Sequence, residues 1–107
     1  MLIVDDDADF RRIAGEVLRS LGLSIAGVAC DTAHARRELE RLRPGAALID
    51  VNLPDGYGPA LAAELMAAMP GLRVVLTSAD ASIVPHDGVA FVPKEDLATA
   101  DLAGLLA

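Results

Sequence analysis

AALIDVNLPDGYG, residues 46–58, decides the fold: an apolar run ends on a carboxylate, Asp50, and then breaks into Pro54 and Gly56. A buried parallel strand reads as a continuous apolar run, and in open α/β sheets ligands gather outside the carboxyl ends of the strands. A helix-capping aspartate is the competing reading. Asn52, Leu53, Pro54 and Gly56 follow, so no helix begins before Pro59, and the position makes Asp50 a functional carboxylate.

Outward from that strand, short apolar runs alternate with helical patterns, which predicts βαβ units on a parallel sheet. Residues 2–4 form the first strand, stopped by Asp5, Asp6 and Asp7. Phe10, Ile13, Val17, Leu18 and Leu21 recur at helical spacing, and Gly22 ends that helix as a left-handed cap. Residues 24–29 make a second strand. Asp31 then caps a helix running through Ala35, Leu39 and Leu42 to a Pro44-Gly45 stop.

The third strand is residues 46–49, and Pro59 opens a third helix with Leu61, Leu65 and Met69 on one face. Strand four, residues 74–76, delivers Thr77 and Ser78; strand five, residues 89–92, delivers Lys94. Leu97, Leu102, Leu105 and Leu106 suggest a last helix, weakened by Gly104. Only residues 78–88 separate strands four and five, where a parallel crossover normally needs a dozen or more, usually with a helix. Pro85 and Gly88 shorten it further, so one helical turn or none is expected there.

With 107 residues, 53% of them hydrophobic and 23% charged, the chain suits one compact domain, residues 1–107, with a single core. Its net charge of −7 disfavours a nucleic-acid binder, because such affinity comes mostly from Lys and Arg on phosphates. Every arginine precedes residue 74 and Lys94 is the sole lysine, so the last third is acidic. Cys30, the one cysteine, excludes an internal disulfide and reads as a small residue at a strand end. MLIVDDD is too short an apolar run for a signal peptide or a membrane span, which leaves the cytoplasm by elimination. His34, with no second His, Cys or acid at ligand spacing, reads as a surface histidine, and His86 has no nameable partner.

In a parallel sheet all carboxyl ends lie on one rim. Asp5 and Asp6, Asp50, Thr77 and Lys94 therefore converge from strands one, three, four and five. Clustered carboxylates raise one another's pKa unless a cation intervenes, and oxygen-only donors with room for water point to Mg2+. Thr77 adds a neutral donor. Lys94 adds a mobile cation able to pair with Asp50 or with an added oxyanion. Phosphoryl transfer depends mainly on positioning and on neutralising oxygen charge, so this set equips Asp50 to attack phosphorus and become an aspartyl phosphate.

These motifs resemble the receiver domain of two-component response regulators. LIVDDD resembles its acidic pair, LIDVNLPDGYG its phosphoacceptor stretch, and VVLTSA and FVPK its switch-hydroxyl and lysine motifs. The resemblance spans nearly the whole chain. It implies an α/β fold, a single doubly wound five-stranded parallel sheet of flavodoxin-like order 2-1-3-4-5, here with a shortened or absent fourth helix. It also implies that a sensor histidine kinase or a histidine phosphotransfer protein donates a phosphoryl group to Asp50.

On the same footing, Asp6 and Asp50 become direct Mg2+ ligands, the main-chain carbonyl of Asn52 a third, and Asp5 one that acts through water, with Asp7 only a neighbour. Thr77 would swing toward the phosphoryl group and Lys94 would pair with it. Phe91, at the switch-aromatic position, would follow Thr77 inward, with Ser78 beside the active amide. Asn52 and Ala79 sit where the family tunes the lifetime of its phosphate.

Two rivals are disfavoured by particular residues. A haloacid-dehalogenase-type phosphatase needs a second Asp two residues after its nucleophile, where Asn52 stands. A flavin-binding module needs a phosphate-cradling loop after strand one, where Asp5, Asp6 and Asp7 repel phosphate. A degenerate receiver acting as a phosphorylation-independent scaffold stays open as the alternative, because the short fourth crossover falls on the family's usual output or dimer face. A homodimer, the downstream target and whether the chain stands alone or belongs to a longer regulator are equally open.

Overall fold

The computed structural model describes residues 1–80 and 89–106. In chain order the elements are β1 (Leu2–Val4), α1 (Ala8–Ser20), β2 (Gly27–Ala29), α2 (Thr32–Leu42), β3 (Ala46–Asp50), β4 (Asn52–Leu53), β5 (Gly56–Tyr57), α3 (Gly58–Ala68), β6 (Arg73–Ser78) and β7 (Ala90–Pro93). A 3-10 turn (Lys94–Asp96) and α4 (Leu102–Leu106) follow. The main sheet runs β2-β1-β3-β6-β7 with every pair parallel, while β4 and β5 form a separate antiparallel hairpin. Counting the sheet strands alone, this is the flavodoxin-like order 2-1-3-4-5.

Strand alternation divides the core in two. Leu2, Val4, Ala47, Ile49, Val74 and Leu76 pack on one face with Ala35 and Leu39 of α2 and Leu61 and Leu65 of α3. Ile3, Leu48, Val75 and Val92 pack on the other with Phe10, Ala14 and Leu18 of α1 and with Leu97 and Leu102. Successive side chains of a strand point to opposite faces, so a sheet covered on both sides needs strands that are apolar at every position. The runs LIV, ALI and VVL meet that need.

Several local expectations shift. The second strand starts at Gly27 rather than at residue 24, because Met1 takes the preceding stretch through its ammonium to the Ser24 carbonyl and its carbonyl to the Ala26 N–H. On α1 the buried face is Phe10, Ala14 and Leu18; Ile13 and Leu21 are exposed. Gly22 follows the α1 cap at φ +85°, as expected of a left-handed stop. The third helix begins at Gly58, one residue before Pro59.

The last helix is split in two. Leu97 and Leu102 are buried while Leu105 is 42% exposed, and Asp101 accepts the Gly104 N–H at 3.0 Å, which caps a new short helix. The expected shortening of the fourth crossover and the reading of His86 fall on residues 81–88, outside the described residues. Among the described residues no helix is long and apolar enough to cross a membrane.

Candidate functional site

The carboxyl rim of the sheet collects what β1, β3, β6 and β7 deliver. After β1 the chain is held tightly: Asp5 N–H donates to the Ala29 carbonyl at 3.0 Å, and Arg11 Nη1 donates to the Asp5 carbonyl at 2.7 Å. Asp5 Oδ1 accepts the Asp7 N–H at 2.9 Å. Asp7 caps α1 by accepting the N–H groups of Asp9 and Phe10. It is thus more than a neighbour: it fixes the start of the helix that follows the acidic pair.

One carboxylate oxygen from each of Asp5, Asp6 and Asp50 lies within 4.8 Å of the others. Asp5 is fully buried and Asp50 is 7% exposed, whereas Asp6 faces solvent. Lys94 Nζ lies 2.7 Å from Asp5 Oδ2 and 3.7 Å from Asp50 Oδ2. The ammonium therefore rests against Asp5 more closely than against Asp50, the pairing that the sequence singles out. Its approach to Asp5 Oδ2 does not meet hydrogen-bond geometry, which leaves that buried oxygen with an ion pair but no directed donor among the described residues.

Lys94 Nζ also sits 4.2 Å from the centroid of the Phe10 ring. Phe10 reads from the sequence only as helix core; in the fold its ring face also holds the lysine over the rim. Burial pushes the Asp50 carboxyl up to about 6, the Asp5 charge adds to that, and Lys94 and the Asn52 backbone N–H work against it.

Thr77 pairs with Asp50 across β3 and β6 and is fully buried. Its hydroxyl has no hydrogen-bond partner among the described residues. A buried hydroxyl left unpaired is costly, so this one is poised for an acceptor that arrives from outside. Ser78, next along β6, is buried and accepts the Asp80 N–H at 3.1 Å. Phe91 is partly buried, opposite Leu76, and packs on the α2/α3 side of the core.

The stretch leaving Asp50 folds back at once. Val51 N–H donates to the Thr77 carbonyl at 2.8 Å and Gly58 N–H to the Val51 carbonyl at 2.6 Å. A Cβ on Gly58 would run into the Asp50 carbonyl, so only glycine allows this return. Between them, Asn52 and Tyr57 pair, as do Leu53 and Gly56, with Pro54 and Asp55 at the tip. The sequence reading takes this stretch only as a break; Pro-Asp-Gly between Leu53 and Tyr57 is the turn signal that identifies a hairpin. At the tip, Asp55 accepts the N–H groups of Thr32 and Ala33 at the start of α2, at 2.8 and 3.3 Å. These bonds, that from the Thr32 backbone foremost, hold the Asp55 carboxyl below the usual range.

His34 departs from its expected isolation. Cys30 Sγ lies 3.6 Å from its Nδ1 and Glu38 Oε1 lies 3.6 Å from its Nε2. Four-residue spacing on either side places these groups together once α2 forms. Cys30 itself is exposed.

The rim suits a hard divalent cation. Its acidic donors are all oxygens, and among the described residues one ammonium against three carboxylates leaves two negative charges to be met.

The model of the response regulator receiver domain family matches residues 1–90. The chain belongs to that family. This receiver domain is 35% identical over 79 residues to a protein-glutamate methylesterase/protein-glutamine glutaminase 2 of Xanthomonas oryzae pv. oryzae, across 73% of the chain and 22% of that protein. It is 38% identical over 80 residues to the DNA-binding transcriptional activator DevR/DosR of Mycobacterium tuberculosis, across 73% of the chain and 37% of that protein. The match thus spans a minor part of each curated relative. Among solved structures, the REC domain of the Erythrobacter litoralis PhyR response regulator is similar in fold, with a TM-score of 0.80 at 23% identity over 98% of this chain and 87% of that one. Two-component signalling is the setting of this receiver domain.

Proposed function

We propose that residues 1–107 act as one receiver domain that accepts a phosphoryl group on Asp50 from a phosphohistidine of a sensor histidine kinase or a histidine phosphotransfer protein. The observation that carries this reading is the buried Thr77 hydroxyl, unpartnered among the described residues, directly across the sheet from Asp50. In the transfer, an Asp50 carboxylate oxygen forms the new bond to phosphorus as the P–N bond to the donor imidazole breaks. The imidazole nitrogen recovers a proton.

Lys94, already between Asp5 and Asp50, moves its charge onto the incoming oxygens, and Thr77 donates a hydrogen bond to them through its hydroxyl. Asp5, Asp6, Asp50 and the main-chain carbonyl of Asn52 would hold Mg2+, which when bound supplies neutralisation of the oxygen charge on the transferring group. The phosphoryl group adds about −1.5 to −2 charge with strong acceptor oxygens, and recruitment of Thr77 and Lys94 to them biases the strand-end loops toward a second state. The product is a changed protein surface, so this is a signalling domain whose output is contact with another protein, in the cytoplasm where phosphoryl donors are made.

The test is to incubate the protein with acetyl phosphate and Mg2+ and to weigh it intact beside Asp50→Asn. One phosphoryl mass is expected on the wild type and none on the variant. No added mass on the wild type, under conditions where it binds Mg2+, would leave the phosphorylation-independent scaffold as the better reading.

A further inference from the structure

We propose that Asp55 is a positioning residue for the phosphoacceptor site: from the hairpin tip it straps the loop leaving Asp50 to the start of α2, and so holds Asn52 in place for the metal. This rests on the reading of Asp50 and Asn52 given above. One link joins Asp55 to the rim and a second, independent one ties it to α2. The first runs along the hairpin, where Asn52 pairs with Tyr57 at one end while its backbone N–H acts on the Asp50 carboxylate. The second runs across the fold, where Asp55 holds the Thr32 and Ala33 N–H groups, 23 and 22 residues away in sequence.

The far anchor is itself fixed. Thr32 is buried, and its hydroxyl accepts from Arg36 at 3.3 Å. Arg36 in turn forks onto Glu64 of α3 at 2.6 and 3.0 Å. A Cβ on Gly56 would lie 2.9 Å from Thr32 Cγ2, so the tip and the helix meet at contact distance. A two-residue ladder has little stability of its own, so a hairpin this short keeps its shape only if something outside it holds the tip. Asp55 is that hold: without it the backbone at Asn52 samples more positions, and a ligand carbonyl that wanders binds metal less well.

Asp31 supplies the control, because it caps the same helix by accepting the His34 N–H at 2.7 Å yet makes no bond to the hairpin among the described residues. Asp55→Ala and Asp31→Ala should both weaken the start of α2, by similar shifts in urea midpoint. Titration with Mg2+ alone, followed calorimetrically, should then separate them. Asp55→Ala is expected to weaken Mg2+ binding about three- to tenfold, below the effect of losing a side chain that touches a ligand, with Asp31→Ala unchanged. Asp55→Asn, which keeps one acceptor oxygen, should fall between.

Amide exchange gives a readout that activity does not. Mg2+ should slow exchange at Thr32 and Ala33 in the wild type and not in Asp55→Ala, since coupling between two sites is reciprocal. Equal affinity in the wild type and Asp55→Ala, or an equal loss in both alanine variants, would overturn the proposal while sparing the phosphoacceptor reading. Failure of the wild type itself to bind Mg2+ would overturn both.

Discussion

At the residue scale, two buried groups on the rim are held in states that favour a ligand over the metal-free fold. The Thr77 hydroxyl is one. Replacing it with the isosteric Thr77→Val removes a polar atom that is unpartnered among the described residues, so the variant should be as stable as the wild type or more stable by about 0.5–1.5 kcal/mol, while losing most of its phosphoryl acceptance from acetyl phosphate. Urea melts beside intact-mass kinetics check both halves, and a clear loss of stability would mean that the hydroxyl has a partner in the folded chain. Asp50 is the other. Its folded pKa of about 6 lies above the ordinary carboxylate value, so the folded, metal-free state binds its proton more tightly than the unfolded chain does. The contribution to stability is full below pH ~4 and is lost as pH rises through ~6. Asp50→Asn escapes that loss. In EDTA the variant should therefore exceed the wild type by about 1–3 kcal/mol at pH ~7.5, and the difference should vanish near pH ~4, as measured by urea melts across pH. Residue identity was legible at this scale: Asp5, Asp6, Asp50, Thr77 and Lys94 are residue types whose chemistry can be named in a string. Their partners were not, because Lys94 chooses Asp5 and the Phe10 ring through side-chain reach that no strand-end position specifies.

At the element scale, the return of the chain after β3 is tightly packed. Gly58 N–H reaches the Val51 carbonyl only because no Cβ stands between Gly58 and the Asp50 carbonyl. Gly58→Ala should cost about 1–3 kcal/mol as an overpacking change, and it should weaken Mg2+ binding as well because the displaced atom belongs to Asp50. A urea melt and a Mg2+ titration on one preparation check this, and a stable variant with wild-type affinity would show that the return has slack. Long elements were legible for two reasons: α1 and α2 each carry a repeating apolar stripe and a stop, while α3, apolar nearly all round, is marked by Pro59 at its start. Short ones were not. The hairpin offers two residues per strand, too few for alternation to show, and the final helix is divided at Asp101, which stands between the buried Leu97 and Leu102 and caps the last part through the Gly104 N–H.

At the scale of the whole molecule, a ligand that binds the folded chain alone stabilises all of it by mass action. Mg2+ at about a hundredfold excess over its Kd should add about 2.7 kcal/mol, or about 10–20 °C in Tm for a domain of this size. Asp50→Asn should show a much smaller shift in the same thermal scan, and an equal shift in both proteins would place the ion away from the rim. The fold was legible from the order of apolar runs, because a right-handed parallel crossover leaves few topologies for alternating strands and helices. The sequence by itself determined which residue types stand at the carboxyl end of each strand, since strand direction in a parallel sheet turns position along the chain into position on one rim. Only the tertiary structure decided how those side chains share charge and where the loop after Asp50 is tied. Both depend on contacts between segments such as residues 55 and 32 or 94 and 5, whose neighbourhood exists only once the two layers of helix have closed on the sheet.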